Sequence, residues 1–163
     1  MTPEERIVKK DRMRYTKDKL SSNLVMAAIV LDALYFVSIY QTDVGTYYYN
    51  WVTGASIIYN LLFMLTAFLA SEGVKTRKNG YTPLLCGIGL MQFVRIFYLP
   101  AKAHEAVVVI QDVEHAVMSD SQHLYVVVCL AISGICCIVA AITSLINNKT
   151  LANYLRSLET EQV

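Results

Sequence analysis

Four apolar stretches, at residues 23–40, 51–70, 83–99 and 124–146, leave this 163-residue chain little choice of architecture. Crossing the hydrocarbon core of a bilayer takes about 20 predominantly apolar residues at 1.5 Å of rise each, and all four stretches are near that length. Lipid offers no partner to an exposed backbone N–H or C=O, so spanning segments must be helices or a closed barrel. The polar–apolar alternation of barrel strands is absent from these runs. A soluble four-helix protein is excluded as well, because a segment such as 124–145 has almost no polar face to offer water. With 55% of residues hydrophobic, little chain remains for a separate soluble domain. The expected fold is all-α: one integral membrane domain over 1–163, built as a four-helix transmembrane bundle. A basic segment at 1–22 and an amphipathic tail at 147–163 are expected to supply short interfacial helices at both ends.

The distribution of charge orients the bundle, where the formal net charge of +1 does not. Arg6, Lys9, Lys10, Arg12, Arg14, Lys17 and Lys19 precede the first span. Lys75, Arg77 and Lys78 lie in the second loop, Lys149 and Arg156 in the tail, and only Lys102 in the first and third loops. Positive charge resists translocation, so both termini and the second loop are expected on the cytoplasmic side, with the cell (plasma) membrane as the expected location. Aromatic residues agree: Tyr35, Phe36, Tyr40, Tyr47, Tyr48, Tyr49, Trp51, Phe97, Tyr98 and Tyr125 cluster at the outer ends of the spans, the headgroup level that such rings favour. The densely charged start is not expected to act as a secretory leader, and neither a myristoylation nor a prenylation signal is expected.

Local signals fit this topology. Thr82-Pro83 suggests an N-cap and a first-turn proline for the third span, and Pro100 is expected to end it. Gly45 and Asn79-Gly80 mark tight turns, and Thr2-Pro3-Glu4-Glu5 reads as a helix start. Leu151, Tyr154, Leu155 and Leu158 recur at i, i+3, i+4 and i+7, the stripe of a short amphipathic helix.

Asp32 in the first span and Arg95 in the third are the charges placed well inside the membrane, each costing about 2.5–3.5 kcal/mol at a helix centre. Helical rise puts Asp32 about 12 Å and Arg95 about 8 Å below the outer edge, within reach of a pair. Asn60, Gln92 and Ser133 fall about 12–14 Å below the same surface, so every span contributes to one polar layer in the outer half. Two readings are open: interhelical hydrogen-bonding glue, or a polar cavity or ion pathway opening outward. A free Asp32 carboxylate favours cation or proton coupling; a tightly paired one does not.

The third loop holds His104, His115 and His123 with Glu105, Asp112, Glu114 and Asp120. On a helix, His104, Gln111 and His115 share a face beside Glu105 and Asp112, a set suited to a divalent metal or to sensing external pH. Against a metal, no two of the histidines fall within one turn, and the 107–110 run suggests a segment resting on the bundle or bilayer. Asp43 adds to an acidic outer face opposed by Lys102, which would enrich cations there. Cys86, Cys129, Cys136 and Cys137 lie in spans without ligand spacing and read as packing residues. Ser133, Cys137 and Ala141, Cys136 and Ala140, and Gly54, Gly87 and Gly89 offer small faces for close helix approach.

No nucleophile–base pair, phosphate loop or zinc signature is present, so catalysis is not expected and no cofactor is implied. The expected function is a component of a transport or channel assembly, using the polar layer as its site. The alternative is a non-transporting accessory or scaffold subunit acting through helix and tail contacts. The bilayer is the expected environment, with a homo-oligomer or a larger membrane complex as partner and no role for nucleic acid.

Overall fold

The computed structural model describes residues 15–40 and 51–161, together with residues 5, 7, 8, 11 and 12. The expectations for Thr2-Pro3-Glu4, Arg6, Lys9, Lys10, Arg14, Asp43, Gly45, Tyr47, Tyr48 and Tyr49 lie outside the described residues. Of the described residues, 83% are helical. In order it forms α1 (Lys19–Tyr40), α2 (Trp51–Lys75), α3 (Tyr81–Ile96), α4 (Leu99–Glu105), a hairpin of β1 (Val107–Ile110) and β2 (Val113–Ala116), and α5 (Asp120–Glu161). Four helical segments are long and apolar enough to cross a membrane: α1, α2, α3 continued by α4, and α5. Their outward faces are apolar too; Ile58 and Leu61 on α2 are 62% and 58% exposed. Apolar surface running around a whole bundle belongs in lipid, and the chain is a membrane protein.

The inward faces repeat at alternating steps of three and four. Val25, Ala28, Asp32, Tyr35 and Ile39 are buried on α1, and Asn60, Phe63, Ala67, Ala70 and Val74 on α2. On α5, Val126, Leu130, Ser133, Cys137, Ala140 and Ser144 are buried at the same rhythm. A 3.5-residue repeat keeps one seam facing its neighbours along the full length of a helix. α5 is the central element, packing against both α1 and α3, while α2 leans on α1 and touches α3 only lightly. Gly89 and Gly134 bring α3 and α5 together: a Cβ on Gly134 would stand 3.0 Å from the Gly89 carbonyl oxygen and 2.9 Å from the Phe93 ring. Gly54 and Gly87, grouped with Gly89 on sequence, instead face open space.

One end of the bundle carries Lys19, Lys75, Arg77 and Lys78, and is called here the basic end. Asp18 starts α1, accepting from the Ser21 backbone N–H at 3.2 Å and from its hydroxyl at 3.0 Å, and also accepts from the Asn147 amide of α5 at 2.9 Å. α2 ends in a Schellman turn, with Lys78 N–H bonded to the Gly73 carbonyl and Arg77, at φ 58°, in the left-handed position usually given to glycine. α3 begins one residue before the expected cap. Thr82 lies within its first turn, and its hydroxyl is 3.3 Å from that of Ser144 on α5 rather than capping the helix. Pro83 still sits where its missing N–H costs nothing.

At the opposite, acidic end α3 stops at Ile96, earlier than Pro100, because a proline ring collides with the carbonyl four residues back. Pro100 then occupies the first turn of α4. Gln111 and Asp112, at φ 52° and 61°, make the two-residue turn of the hairpin, so the third loop is not one helix. Leu99, Ala103, Val117 and Met118 fold down onto Tyr35, Ile39, Val126 and Leu130, closing this end. The tail continues α5 without a break: nothing in the 146–151 stretch breaks a helix, and α5 runs for 42 residues.

Candidate functional site

Each of the five residues of the expected polar layer is buried on the inward face of its own helix, so helix packing brings them to one place. Asp32, Asn60, Gln92 and Ser133 are fully buried, and Arg95 is 6% exposed. The Arg95 guanidinium donates from Nη1 to Asp32 Oδ1 at 2.8 Å and, more weakly, to Gln92 Oε1 at 3.4 Å. Its Nη2 donates to Asn60 Oδ1. Gln92 Nε2 donates to the same Asp32 oxygen at 3.0 Å and lies 3.3 Å from Ser133 Oγ. Ser133 in turn donates to the Ala28 carbonyl at 3.0 Å. All five residues of the expected polar layer thus join one network that reaches α1, α2, α3 and α5.

Aromatic rings complete it. The guanidinium carbon lies 4.3 Å from the Tyr35 ring centroid and 5.1 Å from that of Tyr59, within the range of cation–π attraction. Opposite charges 2.8 Å apart offset much of the cost that each would carry alone in hydrocarbon. Asp32 Oδ2, Asn60 Nδ2 and Arg95 Nε have no hydrogen-bond partner among the described residues. Chemically, the network holds a carboxylate that is enclosed and already engaged by two donors, not one presented to solvent.

A second polar layer, at the basic end, was not read from the sequence. Ser22 and Ser71 hydroxyls lie 2.8 Å apart, Thr82 meets Ser144, Asn148 donates to Asn79 at 3.0 Å, and Asp18 links α1 to Asn147. Serine and threonine in such spans satisfy their hydroxyls on nearby carbonyls so readily that composition gives little warning of a cross-helix role.

The residues considered for a metal or pH site are only partly assembled. His104 and His123 stack with ring centroids 4.3 Å apart and planes 12° from parallel, and His104 Nε2 is 3.8 Å from Asp120 Oδ1. His115 lies on β2 opposite Val108, and Asp112 in the hairpin turn, both exposed; Glu105 ends α4, also exposed. The shared helical face of His104, Gln111 and His115 therefore does not form. Among the described residues no three His, Cys, Asp or Glu side chains gather closely enough to hold a metal. Partial burial, and then the neighbouring His104, hold His123 below the usual imidazole value against the opposing pull of Asp120. All four cysteines are free thiols.

Compared with known proteins, the chain matches no family model, no curated protein and no solved structure.

Proposed function

We propose that this chain is a non-transporting accessory or scaffold subunit of a membrane assembly, in which the Asp32–Arg95 network fixes how the four helices pack. One observation carries the reading: the Asp32 carboxylate is fully buried and shared between Arg95 and Gln92. A carboxylate that binds passing cations or protons has to be reachable and exchangeable, and pairing of this kind removes both properties. No catalytic role is assigned. In this reading the basic end faces the cytoplasm at the cell membrane, with both termini inside. Lys17, Lys19, Lys75, Arg77, Lys78 and Lys149 support this, because hydrogen bonds from Asp18 to Lys75, from Asn147 to Asp18 and from Asn148 to Asn79 gather these segments at one end. At 42 residues α5 is about 63 Å long, about twice the hydrocarbon thickness, so it reaches well beyond the bilayer. Leu151, Tyr154, Leu155 and Leu158 then form a stripe on the projecting part, suited to a partner subunit or a second copy.

Flux across vesicles containing the purified chain tests the reading. The expected result is no proton or cation flux above empty vesicles, with Asp32→Asn lowering only the yield of folded protein. Flux that the wild-type chain supports and Asp32→Asn changes, at unaltered assembly, refutes it and favours a channel or transport component.

A further inference from the structure

The light contact between α2 and α3 leaves a cavity of about 350 Å³ toward the acidic end, within the range of about 300–1,000 Å³ typical of small-ligand pockets. Its lining is apolar and aromatic except for Ser56 and Arg95. Trp51, Met91, Val94 and Tyr98 border it and are 81%, 48%, 48% and 56% exposed, so its mouth faces sideways from the bundle, toward lipid. A soluble ligand has no direct route to such an opening; a membrane-borne one does.

Ser56 and Arg95 on its lining, and several polar groups near them, include atoms without a hydrogen-bond partner among the described residues. Arg95 spends Nη1 and Nη2 on Asp32 and Asn60, leaving the Nε–H without a partner among the described residues, as is the Nδ2 amide of Asn60. The Tyr35, Tyr40 and Ser56 hydroxyls lie close together near Arg95, yet none has a hydrogen-bond partner of normal geometry among the described residues. Asp32 Oδ2 is a spare acceptor and each hydroxyl oxygen can accept as well as donate, but in this arrangement none of them pairs with the Arg95 Nε–H. Buried donors need an acceptor, and a ligand that brings an oxygen supplies it.

We propose that this cavity binds a membrane-borne acyl amphiphile. The chain lies between α2 and α3 among Val52, Met91 and Val94, and its carbonyl oxygen accepts from Arg95 and Ser56. A free fatty acid and an ester lipid share this chemistry. Asp32 already balances the charge of Arg95, so a neutral ester carbonyl adds no charge to the site, whereas a carboxylate does. The inference goes beyond a scaffold role and stands on the cavity and its donors alone.

Trp51 borders the cavity and is the chain's single tryptophan, so its emission reports occupancy directly. The protein in non-ionic detergent is titrated with oleic acid, with methyl oleate and with 1-octadecene, which has the chain but no oxygen. The expected result is a saturable change in Trp51 emission with a carbonyl probe, a rise of a few degrees in unfolding temperature, and octadecene binding weaker by about tenfold or more. Saturation by methyl oleate assigns the ester source, and saturation by oleic acid alone the free acid. Ser56→Leu fills the cavity, and Val94→Phe blocks its mouth from a position already turned outward, so the second decides if the first disturbs folding. Either weakens binding by about tenfold. Equal binding of octadecene, wild-type affinity in the folded variants, or no saturation by either carbonyl probe overturns the proposal.

Discussion

Replacing Arg95 by leucine leaves the buried Asp32 carboxylate with Gln92 as its remaining donor, while Asp32→Asn leaves a guanidinium enclosed by the Tyr35 and Tyr59 rings without its counter-charge. One uncompensated charge at this depth costs about 3 kcal/mol on insertion scales, and breaking a buried pair from one side costs about 3–5 kcal/mol. Each single variant should therefore lose about 3 kcal/mol or more. The double variant Asp32→Asn with Arg95→Leu carries no charge and loses only hydrogen bonds, worth about 0.6 kcal/mol each on average in such helices. Counting the bonds of Arg95 to Asp32, Gln92 and Asn60, its expected loss is about 2 kcal/mol. The two losses should fall short of additivity by several kcal/mol. Equilibrium unfolding in mixed micelles of rising dodecyl sulfate fraction, followed by helical signal, measures all four corners of the cycle. A double variant whose loss equals the sum within about 0.5 kcal/mol would show that the two residues do not act as a pair.

The glycine contacts make an internal comparison. Gly134→Ala must push α5 away from the Gly89 carbonyl and Phe93, at an expected cost of about 1–3 kcal/mol in the same assay, while Gly54→Ala and Gly87→Ala, which meet nothing within 4 Å, should be neutral or stabilise by about 0.5–1 kcal/mol. A further expectation concerns pH. Because the folded-state value of His123 lies below 6.5, the unfolded chain takes up its proton first as pH falls, so the contribution of His123 is complete above about 6.5 and is lost as pH drops through its folded value. The unfolding temperature should fall less between pH 7 and 5 in His123→Gln than in the wild type.

How far the sequence carries depends on what each signal measures. Span number and rough bounds were readable because lipid imposes length and composition directly. The meeting of Asp32, Asn60, Gln92, Arg95 and Ser133 was readable as a common depth, since helical rise converts sequence offset into height. Which way each side chain points was also written there, in the 3.5-residue rhythm of small and polar residues through Ala28, Asp32, Ala67, Ser133 and Ala140. It escapes a hydrophobicity plot because both faces of these helices are apolar; the inward seam differs in size and polarity, not in hydrophobicity. The hairpin was hidden for another reason: Gln111-Asp112 takes positive φ without the glycine or asparagine that usually announces such a turn. Thr82 looked like a cap because a hydroxyl before a proline usually is one, and only the approach of Ser144 reveals its other use. The Asp18 and Ser22–Ser71 contacts at the basic end join residues far apart in sequence, so no local pattern specifies them.

Water access to the network tests the central claim most directly. Ser133→Cys, made in a chain whose four native cysteines are replaced by serine, puts a nearly isosteric thiol at the network's edge. In intact membranes this thiol should resist a membrane-impermeant thiol reagent applied to either face, and react only after unfolding in dodecyl sulfate. Rapid labelling of the folded protein from one side would contradict the account, because a wet network makes Asp32 a site for ions and not the lock of a closed bundle.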